Sequence, residues 1–235
     1  MASKTKTTER FTLKNVRLAF PQLWVPKVFA EEGNPRFEAT FLLDPTKAEH
    51  AEYIKLMKAA IKALAIAEYG EDLPADIRSG EKIALKNNVV VDPDTGARAQ
   101  RKKYNGYADM YFVSTASPAE VVDKKAAVKV AKVVYVPNTH EIDHYVGQPP
   151  VVGRQKQPVR EGQPEAPYAG CRVNAIVSFW AQPKGGRWGP RINANLVATQ
   201  FAGDDTPFTR GGIDVDDAFD AIEDTSPAKD DDIAF

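Results

Sequence analysis

Apolar and polar residues alternate along much of the chain, which is the pattern of half-buried β-strands. In the segment Arg36–Leu43, the residues Phe37, Phe41 and Leu43 fall on one face of an extended strand. Further β-like runs lie at residues 11–20, 83–91, 106–115, 128–136, 170–181 and 191–201. About seven such runs at short spacing predict a mainly β domain, either a small barrel or a sandwich.

One segment has helical rather than strand periodicity. Apolar residues recur at intervals of three or four at Ile54, Met57, Ile61 and Leu64. This spacing predicts one amphipathic helix over residues 46–69 that packs against the sheet, so the predicted class is α+β. Thr46 and Glu49 have the spacing of a capping box, and Gly70 suits the C-cap.

Composition divides the chain into three parts. Residues 1–9 are polar and predict a flexible N-terminal arm, whereas residues 10–203 are predicted to form one folded domain. Residues 148–167 hold five of the 17 prolines and predict a long loop that is either functional or disordered. The apolar periodicity stops after Gly203, so residues 204–235 are predicted to be a disordered acidic tail.

The net charge of −1 hides a strong separation of charge. Residues 204–235 contain eleven acidic residues against Arg210 and Lys229, a net charge of −9. The remaining 203 residues carry 29 basic and 21 acidic residues, a net charge of +8. A basic body indicates a polyanionic partner, although a domain with a merely solubilising charged end remains an alternative.

Few features indicate secretion or a membrane. The single Cys171 cannot form an internal disulfide, which is typical of a reducing cytosol. No run approaches the roughly 18 consecutive apolar residues of a membrane helix, and the N-terminus lacks the apolar core of a signal peptide. We therefore expect a cytoplasmic protein without a membrane partner.

Basic and aromatic residues interleave in the stretch RAQRKKYNGYADMYF at positions 98–112. The strand pattern places Phe112 toward the core and Tyr107 and Tyr111 on the opposite, wetter face. Single-stranded nucleic acid needs cations for its phosphates and flat rings for its unstacked bases. The candidate residues for this contact are Arg98, Arg101, Lys102, Lys103, Tyr104, Tyr107 and Tyr111.

The last two strands and their connecting turn continue the same pattern. Val173, Val177 and Phe179 take the core face of one strand, which places Arg172 and Trp180 on the other face. The candidate residues here are Arg172, Trp180, Lys184, Arg187, Trp188 and Arg191. Because large aromatic residues are usually buried, both a core role and a stacking role remain open for the two tryptophans.

Residues 140–144 read HEIDH, which matches the H-E-x-x-H pattern of zinc peptidases. That chemistry needs a helix, but the flanking residues are rich in valine, and Pro137 and Gly147 bracket the match. We therefore interpret the match as chance and keep a zinc metallopeptidase as an alternative. The chain also lacks both common glycine-rich phosphate-binding patterns, so we expect a non-catalytic protein with no cofactor.

Four stretches together resemble the bacteriophage single-stranded DNA-binding proteins built on an OB-fold: Asn15–Pro26, Pro35–Asp44, Tyr168–Ala181 and Ile192–Gln200. The resemblance implies a five-stranded Greek-key barrel with extra strands or hairpins. It also implies a protein of the bacterial host cytoplasm that coats single-stranded DNA without sequence preference during replication, recombination or repair. A strand-annealing recombination protein is a further alternative, and a homodimer is left open.

The acidic tail that ends in DDDIAF is a second likeness to that family. It implies a tail that shields the DNA-binding groove and contacts a polymerase, helicase or primase. Charge alone is enough to compete with DNA, so the aromatic end predicts an apolar anchor for a partner. The predicted partner-binding residues are Asp230, Asp231, Asp232 and Phe235.

Overall fold

The computed structural model describes residues 5–27, 35–91, 95–101, 108–123, 128–129, 145–185 and 188–208. The strands are β1 (Phe11–Lys27), β2 (Arg36–Leu43), β3 (Leu85–Asn87), β4 (Val89–Val91), β5 (Arg98–Gln100), β6 (Tyr111–Pro118), β7 (Glu120–Asp123), β8 (Val128–Lys129), β9 (Tyr145–Val146), β10 (Val151–Val152), β11 (Arg172–Gln182) and β12 (Arg191–Gly203). The helices are α1 (Ala48–Tyr69) and α2 (Ala75–Arg78).

Five of these strands close into a barrel. Strand β1 pairs antiparallel with both β2 and β11, β2 pairs with β6, and β11 pairs with β12. The ring closes where β12 meets β6 in parallel, at Asn195 and Ala116. This arrangement is the five-stranded Greek-key barrel of the OB-fold, which confirms the predicted fold.

Smaller elements decorate the barrel, as the resemblance implied. Strand β3 adds to the free side of β6, and β10 lies parallel to β12. Strands β4 and β5 form a separate hairpin, and β7 pairs with β8 and β9. None of the described helices has both the length and the apolar character needed to cross a membrane.

The core fills the barrel and the space beneath α1. Phe37, Phe41 and Phe179 are fully buried inside it, and α1 covers one end with Met57 and Ile61. The alternation in β11 is as predicted, with Val173, Ala175, Val177, Phe179 and Ala181 buried. Each large side chain of this kind stabilises the folded state by about 1.5–3 kcal/mol through burial.

The ends of α1 agree only in part with the sequence prediction. Gly70 is the C-cap, with φ of 86° and its N–H donating to the carbonyl of Ile66, as predicted. The predicted capping box is wrong, because the N-cap is Lys47 and no side chain caps the helix. The hydroxyl of Thr46 instead donates to the carboxylate of Asp44 at 2.6 Å. This local hydrogen bond, between residues two positions apart, competes with capping of the helix.

The predicted register of β6 is also wrong. Tyr111 and Val113 face the core beneath α1, whereas Phe112 lies on the outer side of the barrel. The cause is local: Asp109 has a φ of 55°, and the chain turns at residues 108–110 before the strand begins. This turn breaks the alternation that the sequence suggested and moves each following side chain to the opposite face.

Strand β1 is longer than predicted because bulges or irregularities shift its pairing at three places. The register shifts between Leu13 and Val16, between Ala19 and Gln22, and between Gln22 and Lys27, and Phe20 has a φ of 48°. The second bulge accommodates Pro21, which has no N–H to donate and would otherwise end a strand. The chain therefore continues in β1 as far as Lys27.

A buried histidine links β1 to the start of α1. His50 is 2% exposed, its Nδ1 accepts the Asp44 N–H at 3.0 Å, and its Nε2 lies 3.3 Å from the carbonyl oxygen of Lys14. Burial lowers the pKa of His50, so the neutral ring is the form that the fold requires.

We expect His50 to make stability depend on pH. Because its folded pKa lies below the unfolded value of about 6.5, its contribution is complete above pH 6.5 and is lost as the pH falls toward the folded pKa. Urea unfolding at pH 7.5 and 5.5 should show a lower free energy of unfolding at the acidic pH. His50→Gln should reduce this difference, and an unchanged difference would contradict the assignment.

Candidate nucleic-acid interface

The outer face of the β11–β12 pair carries a ladder of polar and aromatic side chains. Trp180 lies opposite Asn193 in the register, and Ser178 lies opposite Asn195. The amide of Asn195 donates to the hydroxyl of Ser178 at 3.3 Å. Trp180 is half-buried on this face, as the strand alternation predicted.

The turn between β11 and β12, residues 183–190, projects the most exposed tryptophan. Trp188 is 63% exposed, which rules out a core role for it. Arg191 lies next to it in the fold, with its Nη2 donating to the carbonyl of Trp188 at 3.4 Å. Lys184 is an exposed residue at the other end of the turn. Arg187 lies outside the described residues.

Two donors at the base of this turn have no hydrogen-bond partner within the described part of the chain. They are Nε of Arg191 and Nδ2 of Asn193, both nearly inaccessible to solvent. Buried donors are normally paired, since leaving one unpaired costs about 1–3 kcal/mol. An incoming acceptor would pair with these two donors only after their side chains turn toward the surface, since neither atom is accessible in this conformation.

The predicted cluster at residues 98–111 is only partly described. Arg98 is exposed and pairs with Asp109 at 3.2 Å, and Arg101 is exposed at the end of β5. Tyr111 faces α1 rather than solvent: its hydroxyl accepts from Lys58 at 2.9 Å, and the same ammonium lies 4.5 Å from its ring centroid. The remaining candidates Lys102, Lys103, Tyr104 and Tyr107 lie outside the described residues.

Arg172 does not lie with the tryptophans. It begins β11, and eight residues separate it from Trp180, which is about 27 Å along an extended strand. The carboxylate of Asp205 binds it at 2.6 Å and also lies 3.6 Å from Arg17. Burial by itself would raise the pKa of Asp205. The hydrogen bond from the Thr206 N–H and the charges of the two arginines outweigh it and hold that pKa below its usual range.

The residues Asp204–Phe208, which we call the root segment, run over the outside of the barrel. The N–H of Phe208 donates to the carbonyl of Ala169 at 3.0 Å, and Arg17 lies 4.2 Å above the Phe208 ring. The ring packs on a small outer cluster formed by Ala19, Leu42 and Phe112. We call this patch of β1, β2 and β6 the outer surface. The rest of the predicted tail 204–235, which is residues 209–235 with Asp230–Asp232 and Phe235, lies outside the described residues.

Sequence reasoning missed two groups of candidate residues. Phe20 is 47% exposed at the second bulge of β1, and an aromatic residue with positive φ often marks a functional position. Lys58, Lys62, Arg78 and Lys86 line a cleft together with Arg101 and Tyr111. The spacing of Lys58 and Lys62 by four residues is the only signal that indicated a shared face.

The other predicted features are placed as follows. The loop at 148–167 is held by Glu165, which accepts hydrogen bonds from Arg154 at 2.7 Å and from Gln157 at 2.8 Å.

The HEIDH match lies outside the described residues. Among the residues that the structure describes, no group of three or more His, Cys, Asp or Glu side chains could hold a metal. Burial raises the pKa of Cys171 to about 11.

Similar proteins come from phages. A curated relative, "Putative protein p50" of Acyrthosiphon pisum secondary endosymbiont phage 1, is 28% identical over 215 residues, which are 91% of this chain and 94% of the relative. The structure of the single-stranded DNA-binding protein from bacteriophage Enc34 in complex with ssDNA aligns with this chain at a TM-score of 0.58 and 19% sequence identity. The alignment covers 85% of this chain and 89% of that protein's chain. A second structure of that protein has a TM-score of 0.56 at 20% identity, with 90% coverage of both chains. These likenesses show that the fold is shared.

The sequence itself matches a family over nearly its whole length. Residues 9–233 match the family described as "Enterobacter phage Enc34, ssDNA-binding protein". This match confirms the resemblance that the four stretches indicated, and it agrees with the prediction of a binding protein rather than an enzyme. The chain belongs to the Enc34 single-stranded DNA-binding protein family.

Proposed function

We propose that this protein binds single-stranded DNA without sequence preference. OB-folds bind oligonucleotides on the face of their second and third strands and on the loops that join strands one to two and four to five. The corresponding parts here are the outer surface and the β11–β12 turn. The observation that carries the proposal is the exposed side chain of Trp188, with Arg191 in contact and Lys184 in the same turn.

The chemistry of these residues suits a single strand better than a duplex. An exposed indole gives an unstacked base a flat surface, and stacking discriminates little among the four bases. A turn of the Arg191 and Asn193 side chains toward the surface would let their unpaired donors meet phosphate or base acceptors close to that ring. Phosphate contacts from the turn then add affinity that carries no sequence information.

Fluorescence polarisation with labelled single-stranded and double-stranded oligonucleotides of equal length tests the proposal. We expect tighter binding to the single strand and similar affinities for different base compositions. Equal affinities for the single-stranded and double-stranded oligonucleotides would indicate a site that binds any polyanion. If neither oligonucleotide binds, the proposed function is wrong.

The root segment supports autoinhibition by the acidic tail. Asp205 neutralises Arg17 and Arg172, and Phe208 covers the apolar patch of the outer surface. DNA that reaches these two arginines must first displace a carboxylate of the same chain. The rest of the tail adds nine further acidic residues that compete for the basic body.

Replacing Asp205 with alanine is expected to tighten DNA binding. If both released arginines reach a phosphate, counterion release gives about 25-fold at 0.1 M salt. Asp204→Ala is the matched control, because it removes the same charge from a carboxylate that accepts from Tyr168 instead of an arginine. Equal effects of the two variants would show that only net charge matters, and no effect of either would sink autoinhibition by the root segment.

The proposed role of the tail includes partners. Asp230, Asp231 and Asp232 would steer the tail, and Phe235 would anchor it in an apolar pocket of a polymerase, helicase or primase. DNA that occupies the groove would release the tail for this contact. We place these events in the bacterial host cytoplasm, in replication, recombination or repair, and a homodimer is compatible with them.

A further inference from the structure

We propose that a cleft on the helix side of the barrel binds one nucleotide of the DNA strand, as a second site apart from the β11–β12 turn. The inference rests on the proposed single-stranded DNA binding. The cleft has a volume of about 410 Å³, which falls within the range of small-molecule sites. It opens between α1, α2, β3 and the β4–β5 hairpin.

The rim of the cleft is cationic. Lys58 and Lys62 come from α1 and Arg78 from α2, whereas Lys86 comes from β3 and Arg101 directly follows β5. None of the described lining residues is acidic, although the carboxylate of Asp72, which lies outside the lining, is 3.9 Å from Arg78. Five positive side chains that converge from separate elements create a local positive potential, which attracts a phosphate.

The floor of the cleft is apolar. Ile61, Leu73, Ile77 and Leu85 line it beneath the cations. A base or sugar rests on such a floor while its phosphate meets the rim, since flipped nucleotides are held between apolar or aromatic side chains. Asn87 lies at the same wall, and its Oδ1 accepts the Val89 N–H at 3.0 Å, which orients its amide. An oriented amide can hydrogen-bond a base edge.

The cleft lies on the opposite side of β6 from the outer surface. Tyr111 lines the cleft, whereas the next residue, Phe112, packs on the outer side. Arg101 and Tyr111 also belong to the basic and aromatic segment at residues 98–112. The cations would attract either polyanion, but the apolar floor favours a nucleotide, whose base can rest on it, over the aspartate side chains of the acidic tail.

The test combines Lys62→Gln with Lys86→Gln, two changes that keep an unbranched polar side chain of nearly the same length and remove two cations. We expect single-stranded DNA binding to weaken about 25-fold at 0.1 M salt, and the slope of log K against log salt to become shallower by about 1.4. The matched control is Lys47→Gln, at the N-terminus of the same helix and about 22 Å along it from Lys62. Lys47→Gln should leave the affinity for single-stranded DNA and the salt slope close to those of the wild type.

The outcomes separate this inference from the proposed function. If the double variant binds like the wild type while Trp188→Ala binds weakly, the cleft is not a DNA site but the proposed function stands. If the wild type itself fails to bind, the proposed function is wrong. Tighter binding by the double variant would identify the acidic tail as the occupant and would overturn the inference.

A second measurement needs no substitution. Acetylation of the full chain by an amine-reactive reagent, with and without a single-stranded oligonucleotide, reports the accessibility of each lysine by mass spectrometry. Lys62 and Lys86 should be protected by the oligonucleotide, whereas Lys47 should react equally in both samples. Equal reactivity of Lys62 in both samples would overturn the inference even if the double variant failed to fold.

Discussion

Replacing Trp188 with alanine is expected to weaken single-stranded DNA binding by roughly 5- to 150-fold. The range follows from about 1–3 kcal/mol for each stacked base, at about 1.4 kcal/mol for each factor of ten. Trp188 is suited to stacking because its ring is 63% exposed and lies beside Arg191, so a base gains both a surface and a nearby cation.

The same substitution should leave the fold intact. Exposed residues outside special structural features change the free energy of unfolding by at most about 0.5 kcal/mol. Trp188→Phe is the matched control, because it keeps a flat ring and should retain most of the affinity. Polarisation titrations and urea unfolding of the three proteins check both statements. If Trp188→Ala binds weakly and also unfolds, Trp188 has a structural role. If Trp188→Ala binds as well as the wild type, the bases stack on another surface.

Much of the barrel could be predicted because its strands are regular. In β11 every second residue from Val173 to Ala181 is buried, and only Ser178 on the other face is buried as well, so the faces of Trp180 and Arg172 followed directly from the sequence. The helix was equally clear, since four apolar residues at helical spacing all lie on its buried side. Both patterns depend only on neighbours within one element.

The errors arose where a single residue breaks the regular backbone. Asp109 turns the chain before β6 and reverses the faces of Tyr111 and Phe112. The bulge at Phe20 carries β1 past Pro21, where the sequence indicated an end. A positive φ at a residue other than glycine is uncommon, and composition does not indicate it.

The candidate site also depends on contacts between residues that are distant in sequence. Arg172 was expected to meet DNA, but Asp205 binds it from 33 residues away. The cations of the cleft come from two helices, from β3 and from the residue after β5, and only the folded chain brings them together. Local patterns predict which side chains reach solvent, but not which of these side chains lie next to each other.

Salt should weaken DNA binding strongly, and by more once Asp205 is removed. Three cations belong to the β11–β12 turn or flank it: Lys184, Arg187 and Arg191. Three phosphate contacts give a slope of about −2 in log K against log salt, or about a 20-fold loss of affinity between 0.05 and 0.2 M salt. Contacts in the cleft would make the slope steeper still.

In Asp205→Ala, Arg17 and Arg172 become available for two further phosphates. The slope should then steepen to about −3.5, and the loss over the same range should rise to about 130-fold. The advantage of the variant over the wild type is therefore large at low salt and shrinks as salt is added. Polarisation titrations at four salt concentrations measure both slopes, with Asp204→Ala as the control. Equal slopes of log K against log salt for the wild type and Asp205→Ala would contradict this prediction. They would mean that the root segment stays in place when DNA binds, so that the two arginines remain out of reach of the phosphates.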